Sequence, residues 1–181
     1  MRKLVEMAFS FRQLLCSFRR MRGRSVLDLK FRNVHSGKYS MKFKYTVTDV
    51  ADATIRARIA EPLVRFNETE AGPINFRPLV IILTDVEEEI VGGLWGGTAY
   101  GWLHTDLLVV PEKARGNGVG THLMQLAEEE ALARGCHSAW LDTHDFQAQP
   151  FYERLGYVQF GELPDYPIGH SRIFLRKTLL R

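Results

Sequence analysis

The spacing of apolar residues predicts that regular structure begins near residue 41. In the segment 42–48, apolar residues at positions 43, 45 and 47 alternate with polar ones, which is the pattern of a half-buried strand. The period then lengthens to that of a helix that starts at Asp49 or Asp52, either of which can cap it, and runs to about Asn67. Its apolar residues 55, 59, 63 and 66 share one face, and we expect the helix to end before Gly72-Pro73.

The rest of the chain predicts further short strands and helices. Residues 78–84 and 89–99 flank an acidic turn and form a hairpin, and 102–110 follows as a third antiparallel strand. Four glycines within 89–99 indicate a bulge or the close approach of another backbone. The remaining predicted elements are a glycine-rich bend at 115–120, a helix to Arg134 ended by Gly135, a strand at 138–143, a short helix at 148–155 and closing strands at 157–163 and 170–178.

Length and composition restrict the class of protein. A chain of 181 residues with 45% hydrophobic and 25% charged residues is an ordinary globular domain. Its two cysteines cannot form a disulfide framework, and no apolar run approaches the roughly 20 residues that cross a bilayer. We therefore expect a cytoplasmic protein that does not act in a membrane.

The charge is distributed unevenly along the chain. Residues 1–40 contain ten Lys or Arg against two acidic residues, a net charge of +8, whereas the other 141 residues contain fourteen against nineteen, a net charge of −5. The basic segment resembles an organelle transit peptide, or it is a disordered extension ahead of a start at Met41, which is the interpretation we adopt. The acidic remainder argues against nucleic acid as a partner, because it repels phosphate on average.

A candidate anion site lies in the glycine-rich bend after the third strand. The bend brings consecutive backbone N–H groups to the start of a helix, where the amides lack intrahelical partners and the helix dipole favours a phosphate. The alternative is a tight strand-to-helix turn with no ligand. The glycine spacing matches neither the dinucleotide fingerprint nor a Gly-Lys-Ser/Thr phosphate loop, so dehydrogenases and NTPases are disfavoured.

Two motifs resemble those of a known family. Arg115, Gly118 and Gly120 match Arg-x-x-Gly-x-Gly, which is similar to the coenzyme-binding loop of the GNAT N-acetyltransferases. About thirty residues later, residues 148–157 read Ala-Gln-Pro-Phe-Tyr-Glu-Arg-Leu-Gly-Tyr and resemble that family's Ala-x-x-Phe-Tyr-x-x-x-Gly-Phe/Tyr segment. The resemblance covers about residues 41–178 and implies an N-acetyltransferase domain over 41–181.

This resemblance implies an α/β fold of the mixed α+β type. Its centre is a mixed, mostly antiparallel sheet of six to seven strands flanked by helices. The central strands at 102–110 and 138–144 are expected to splay apart and admit the pantetheine arm of the coenzyme. The glycine-rich strand at 89–99 could approach a second copy, so a homodimer is an open expectation.

The implied co-substrate is acetyl-CoA. The resemblance places backbone groups of Leu108, Val109 and Val110 against the pantetheine arm and the acetyl carbonyl. Both valines are also ordinary core strand residues, and the two interpretations are compatible because the ligand would use main-chain atoms. The residues expected to bind the pyrophosphate, mostly through their amides, are Arg115, Gly116, Asn117, Gly118, Val119, Gly120 and Thr121.

Acetyl transfer to an amine requires a base and a proton source for the leaving thiolate. Tyr152 aligns with the family's tyrosine that reaches the coenzyme sulfur; the alternative, an aromatic residue in the helix–sheet core beside Phe151, is weakened because two adjacent helical residues cannot face the same way. His104 and Asp106 share a strand face and are the candidate bases; the alternative is a structural polar pair in a wet cleft. Asp145 stands where the family often has Asn, which leaves that coenzyme contact in doubt.

We expect no metal, since the spacing of His137, Asp142 and His144 matches no familiar site. The predicted function is transfer of an acetyl group from acetyl-CoA to a primary amine of a small molecule or peptide, by direct transfer in a ternary complex. Acidic residues near the expected cleft favour a cationic small molecule as the partner. The alternatives are an acyl-CoA-binding regulatory module without activity and an enzyme that acetylates charged tRNA, which would need a basic acceptor face.

Overall fold

The computed structural model describes residues 43 and 45–179. The predicted basic leader over 1–40 lies outside the described residues. Within them, one 3-10 turn covers Glu112–Ala114. The helices are α1 (Ala53–Ala71), α2 (Val119–Ala133) and α3 (Gln149–Arg154), and the strands are β1 (Arg77–Thr84), β2 (Ile90–Ala99), β3 (Trp102–Val109), β4 (Ser138–His144), β5 (Val158–Leu163) and β6 (Arg172–Thr178).

The six strands form a single sheet in the order β1-β2-β3-β4-β6-β5. Only β3 and β4 are parallel, and α2 connects them as the crossover that parallel neighbours require. All other neighbouring strands are antiparallel. The expectation of a mixed, mostly antiparallel sheet flanked by helices is therefore confirmed.

The hydrophobic core lies between one face of this sheet and the helices α2 and α3. Leu103, Leu141 and Leu175 project from three adjacent strands, and Met124 meets them from α2. Alternation along β4 buries residues 139, 141 and 143 on this face and leaves Trp140, Asp142 and His144 on the opposite one. No helix in the described part of the chain is both long enough and apolar enough to cross a membrane.

The prediction of a strand over 42–48 is wrong for the residues that the structure describes. Residue 43 and residues 45–48 form no strand, and Phe43, Tyr45 and Val47 are exposed. Alternation of apolar residues indicates a strand only where a sheet edge receives it, and no described strand pairs with this segment. The sheet consequently has six strands.

Helix α1 forms as predicted, but its apolar face is not covered. Asp52 is the cap, since its carboxylate accepts hydrogen bonds from the amides of Thr54 at 2.7 Å and Ile55 at 3.1 Å. The helix continues past Asn67 and ends at Gly72, whose N–H donates to the Glu68 carbonyl. The apolar residues on its shared face are between 47% and 74% exposed: Ile55, Ile59, Leu63 and Phe66.

The glycines of β2 permit close approach of the neighbouring strands. A Cβ atom at Gly93 would collide with the Ile81 carbonyl of β1, and one at Gly96 would collide with the His104 carbonyl of β3. The close approach predicted from these glycines therefore occurs within the sheet of one chain. The homodimer suggested by the same strand stays a prediction.

The central strands separate part-way along their length. The β3–β4 ladder has four residue pairs, from Trp102–Ser138 to Thr105–Leu141. Beyond these pairs β3 continues through residues 106–109 and β4 through 142–144, and the two are no longer paired. The predicted splay is thus present, and it leaves a slot between the two strand ends.

Candidate active site

The glycine-rich bend joins the end of β3 to the start of α2. Gly116 and Gly118 adopt left-handed φ values of 76° and 80°, which an L side chain rarely adopts. Neither would meet another atom through an added Cβ, so backbone conformation is what requires glycine there. Gly118 is the N-terminal cap of α2.

The amides of this bend are not engaged elsewhere in the described chain. The first amide of the helix with a backbone partner is that of His122, which donates to Gly118 at 3.0 Å. None of the amides of residues 116–121 donates a hydrogen bond to any described residue. Six consecutive free donors at a helix N-terminus form a site suited to an anion such as a diphosphate.

Two residues at the bend contact the surrounding structure. A Cβ at Gly120 would lie 3.2 Å from the Phe151 ring, so this glycine allows α2 to pack closely against α3. The Nε of Arg115 donates to the Val110 carbonyl at 3.2 Å. That carbonyl keeps a second lone pair, and the coenzyme contact of Val110 stays a prediction.

A β-bulge reorganises β3 where the slot begins. Trp95 pairs with Leu107 and the next residue, Gly96, pairs with Thr105, so Asp106 is the extra residue. The bulge shifts the alternation, and Leu108 packs partly against the core while Leu107 and Val109 are exposed. The backbone of residues 106–109 borders the slot on the side of β3 that faces β4.

His104 and Asp106 lie together at the closed end of the slot, where the β3–β4 pairing stops, as their shared strand face predicts. The His104 Nδ1 is 3.1 Å from the Asp106 Oδ1, and both side chains are 23% exposed. The His104 ring stacks on Trp140 with a centroid distance of 3.7 Å and an interplanar angle of 12°. The 3.1 Å approach lacks the geometry of a hydrogen bond, so the buried Asp106 Oδ1, like the buried His104 Nε2, has no hydrogen-bond partner among the described residues.

Burial controls the protonation of this pair. It lowers the pKa of His104, and the carboxylates of Asp106 and Asp142 only partly oppose that effect. Burial likewise raises the pKa of Asp106, and the negative charge of Asp142 adds to the increase while His104 opposes it. The imidazole is therefore neutral at pH 7 and can accept a proton.

Tyr152 lies in the core beside Phe151, an arrangement that the sequence disfavoured. The residue is 8% exposed, and the adjacent Phe151 also packs against the core. Both rings reach the core from the six-residue α3, because Phe151 covers Gly120 of α2 while Tyr152 packs edge to face on Tyr157. The two rings meet edge to face at a centroid distance of 5.0 Å.

The environment of Tyr152 makes its hydroxyl a weak acid. Burial raises its pKa to about 12, and the negative charge of Asp142 contributes to that increase. Its hydroxyl makes no hydrogen bond within residues 45–179. Tyr152 is therefore protonated at neutral pH and free to donate a hydrogen bond, although it is a weaker acid than the ordinary phenol that the sequence suggested.

Asp142 is the site residue that the sequence did not reveal. It lies on β4 on the same face as Trp140, and the Arg172 Nε donates to its Oδ2 at 2.6 Å. Its negative charge acts to raise the pKa values of His104, Asp106 and Tyr152. The same carboxylate therefore influences both the candidate bases and the candidate proton donor. Alternation along β4 predicts which face of the sheet carries Asp142, but it does not show that Arg172 of β6 is its partner.

The other polar residues considered from sequence have separate surroundings. His137 contacts Trp102 at the opposite end of β4 from His144. No group of three or more His, Cys, Asp or Glu side chains within the described residues is placed to hold a metal ion. Asp145 accepts hydrogen bonds from the Ser171 amide and lies 3.1 Å from the His170 Nδ1, so it is bound to the loop before β6.

The comparison with protein families identifies the class. Residues 51–157 match the model of the acetyltransferase (GNAT) family, which covers more than half of the chain. The chain therefore belongs to this family and is an acetyltransferase. The splayed central strands and the free amides at the start of α2 are consistent with the two motifs from which the resemblance was inferred.

Individual relatives agree with this assignment. The chain is 41% identical over 133 residues to acetyltransferase Atu2258 of Agrobacterium fabrum (strain C58 / ATCC 33970), a match that covers 74% of this chain and 97% of that protein. It is 38% identical over 138 residues to blasticidin-S acetyltransferase of Streptomyces morookaense, covering 74% and 94%. A crystal structure of aminoglycoside 6'-N-acetyltransferase complexed with coenzyme A matches with a TM-score of 0.50 and 25% identity, covering 57% of this chain and 74% of that one.

Proposed function

We propose that this protein is an acetyl-CoA-dependent N-acetyltransferase that acetylates a primary amine by direct transfer in a ternary complex. The observation that carries the proposal is the continuity of the site: free amides at residues 116–121 lead into a slot that ends at the His104–Asp106 pair. Relatives named for blasticidin-S and for aminoglycosides support a small-molecule acceptor. The relative solved with coenzyme A supports acetyl-CoA as the donor.

The described residues fit the coenzyme at both of its anchoring points. The diphosphate would accept hydrogen bonds from the six free amides at the N-terminus of α2, with the positive end of the helix dipole adding attraction. The pantetheine arm would lie in the slot and bond to the unpaired edges of residues 106–109 and 142–144, as an added strand does. Bound in this way, the coenzyme supplies the activated acetyl group.

The side chains at the end of the slot provide the proton transfers. The substrate ammonium must lose a proton before its nitrogen can form a bond to the acetyl carbon, and the neutral His104 accepts that proton. The bond between the acetyl carbon and sulfur then breaks, the thiolate takes up the second proton that the nitrogen releases, and the Tyr152 hydroxyl donates a hydrogen bond to the departing sulfur. Because the pKa of Tyr152 is about 12, hydrogen bonding rather than complete proton transfer is its main contribution.

Charge at this end of the slot favours a cationic acceptor. Asp106 and Asp142 are close enough for each carboxylate to influence the protonation of the same imidazole. Arg172 neutralises much of the charge of Asp142, which leaves Asp106 to attract the ammonium group. The acceptor would therefore bind as a cation and lose its proton within the site.

A melting experiment combined with an assay for free thiol tests the proposal. Acetyl-CoA at 100 times its Kd stabilises a one-site protein by about 2.7 kcal/mol, which raises the Tm of a domain of this size by roughly 5–10 °C. Addition of an amine panel should then release free CoA with at least one member. An unchanged Tm at millimolar acetyl-CoA would overturn the proposal. A raised Tm without thiol release from any amine would instead support the coenzyme-binding regulatory module.

A further inference from the structure

A shallow cavity of about 450 Å³, wide open to solvent, lies on the sheet face opposite the core. Four aromatic rings and one guanidinium line it, contributed by Trp102, Trp140, Phe160, Phe174 and Arg176. The volume falls within the range of small-molecule sites. Nothing in the coenzyme-binding part of the proposed function uses this cavity.

Trp140 connects the cavity to the proposed site of acetyl transfer. It lines the cavity, and the His104 ring stacks on it at 3.7 Å. Asp142 lies two residues further along the same strand, about 7 Å away, and is paired across the sheet with Phe174, which also lines the cavity. An acceptor whose amine reaches His104 and Asp106 would therefore extend its other end over Trp140 and Phe174.

The lining residues favour a flat ring. Phe160 and Phe174 lie 6.2 Å apart with an interplanar angle of 57°, and Phe160 is 53% exposed at the rim. An aromatic ring in such surroundings gains stacking and edge contacts in addition to the burial of its apolar surface. An aliphatic group would gain only the burial.

Arg176 favours a ligand that carries a negatively charged group. It is paired across the sheet with Trp140, and its guanidinium makes no ion pair or hydrogen bond within residues 45–179. Arg172, four residues earlier on the same strand face, is by contrast paired with Asp142. An unpaired guanidinium at the edge of an aromatic cavity suits a carboxylate or another anionic group on the ligand.

We propose that this cavity is the subsite that selects the acceptor, and that the acceptor is an amine carrying a planar ring with an anionic group at the far end of the ring. The inference rests on the proposed N-acetyltransferase function and narrows its substrate class. His104 is paired with Trp140, which is paired in turn with Arg176, so the backbones of His104 and Arg176 are two strand spacings, about 10 Å, apart. The long Arg176 side chain shortens this gap, so the acceptor amine and its anionic group are separated by less than about 10 Å.

Four commercial amines test each part of the proposal. The probe 4-(aminomethyl)benzoate has the ring and the anion, with its charged groups about 7 Å apart from ordinary bond lengths. Benzylamine lacks the anion, 4-(aminomethyl)cyclohexanecarboxylate lacks the planar ring, and hexylamine lacks both. Binding to the CoA-loaded full chain is measured by calorimetry, and kcat/KM is measured by thiol release with acetyl-CoA. We expect 4-(aminomethyl)benzoate to exceed hexylamine by about tenfold in both measurements.

Two variants test whether Arg176 causes the preference for an anionic group and whether Phe160 causes the preference for a planar ring. Arg176→Gln should reduce the preference for 4-(aminomethyl)benzoate over benzylamine by about threefold to fivefold, the effect of one partly exposed ion pair. Phe160→Leu should reduce the preference for the benzoate over its cyclohexane analogue. The matched controls are Arg58→Gln and Phe66→Leu, which change the same residue types on the exposed surface of α1 and should leave both ratios at the wild-type value.

The outcomes separate this inference from the proposed function. If no amine releases thiol but the benzoate binds and Arg176→Gln weakens it, the subsite stands and the transferase proposal fails. If aliphatic amines are acetylated while the four probes show no preference for ring or anion, the subsite proposal is overturned alone. Wild-type preferences that both variants retain would also overturn it.

Discussion

At the scale of single residues, burial decides where protons reside in the proposed site. It lowers the pKa of His104 and raises those of Asp106 and Tyr152, so the imidazole is neutral and the phenol is protonated at pH 7. Nearby charges modify these effects without reversing them. A base without its proton and a donor that retains its own are the two states that acetyl transfer requires.

The first prediction concerns the acid limb of activity. Because the pKa of His104 lies below its ordinary value of about 6.5, protonation should reduce kcat only as the pH falls below about 6.5. His104→Gln should lower kcat by about a hundredfold and remove this limb. The measurement is kcat at saturating acetyl-CoA and amine between pH 5 and pH 9. A limb that persists at the same pH in the variant would contradict the role of His104 and point to Asp106.

The second prediction concerns the Tyr152 hydroxyl. Tyr152→Phe retains the buried ring, so the Tm should change by only a few degrees while kcat falls by about a hundredfold. Since the pKa of Tyr152 is about 12, the wild type should show no alkaline limb from this residue below pH 11. Tyr157→Phe is the matched control, because that ring is also buried and its hydroxyl interacts with Glu128. Equal losses of kcat in both variants would contradict a specific role for Tyr152.

Sequence patterns identified these residues to different extents. Strand alternation placed His104 and Asp106 on one face, and the structure brings them to 3.1 Å. Asp142 was missed because its importance depends on Arg172, thirty residues away on β6, and on distances across the slot. The burial of Tyr152 was only the alternative interpretation, since it depends on contacts with Phe151 and Tyr157 that spacing along the six-residue α3 does not show.

At the scale of elements, the bend before α2 depends on the left-handed conformation of its glycines. Gly118 caps the helix with φ 80°, and Gly135 follows the other end of the same helix with φ 83°. Neither glycine has an atom within 4 Å of an added Cβ. An alanine at Gly118 or at Gly135 therefore meets the same backbone strain and the same open space, and only the end of α2 at which it lies differs.

The third prediction uses this pair of glycines. Gly118→Ala and Gly135→Ala should each destabilise the fold by about 1 kcal/mol, the cost of a left-handed alanine. Only Gly118→Ala should also weaken CoA binding, by about tenfold for each hydrogen bond to the diphosphate that is lost. Urea unfolding and calorimetric titration with CoA provide the two measurements. Equal Kd values for CoA in the two variants would contradict the assignment of the bend.

Periodicity predicts the existence of elements better than it predicts what they contact. Helix α1 was found with its cap at Asp52, because capping and apolar spacing are local properties. The same apolar spacing does not show what the helix packs against, and the apolar face of α1 is exposed. The bulge at Asp106 was likewise not predicted, because a bulge is defined by the register with the neighbouring strand, here at Trp95 and Gly96 of β2.

At the scale of the whole molecule, apolar spacing and two motifs together predicted the architecture. Spacing gave the order of elements from β1 to β6, and the resemblance carried by the residues around Arg115 and Tyr152 implied the separation of β3 from β4. The error was the additional strand near residue 45, since an alternating segment needs an edge to pair with. Short-range signals cannot show whether that edge is available.

The fourth prediction concerns the boundary of the domain. A fragment comprising residues 41–181 should retain the rise in Tm with acetyl-CoA and the same kcat as the full chain, because every residue of the candidate site lies within it. Thermal melts and thiol release on the two proteins provide the comparison. A fragment that folds but no longer binds CoA would show that residues 1–40 contribute to the site.

The four residue pairs between β3 and β4 have a consequence for the energetics of the sheet. They divide it into two three-stranded sections that α2 and this short ladder connect, so each section can open with partial independence. A ligand that bonds to both free edges would couple the two sections into one cooperative unit. Amide hydrogen exchange should then slow together in β3 and β4, including at positions remote from the diphosphate.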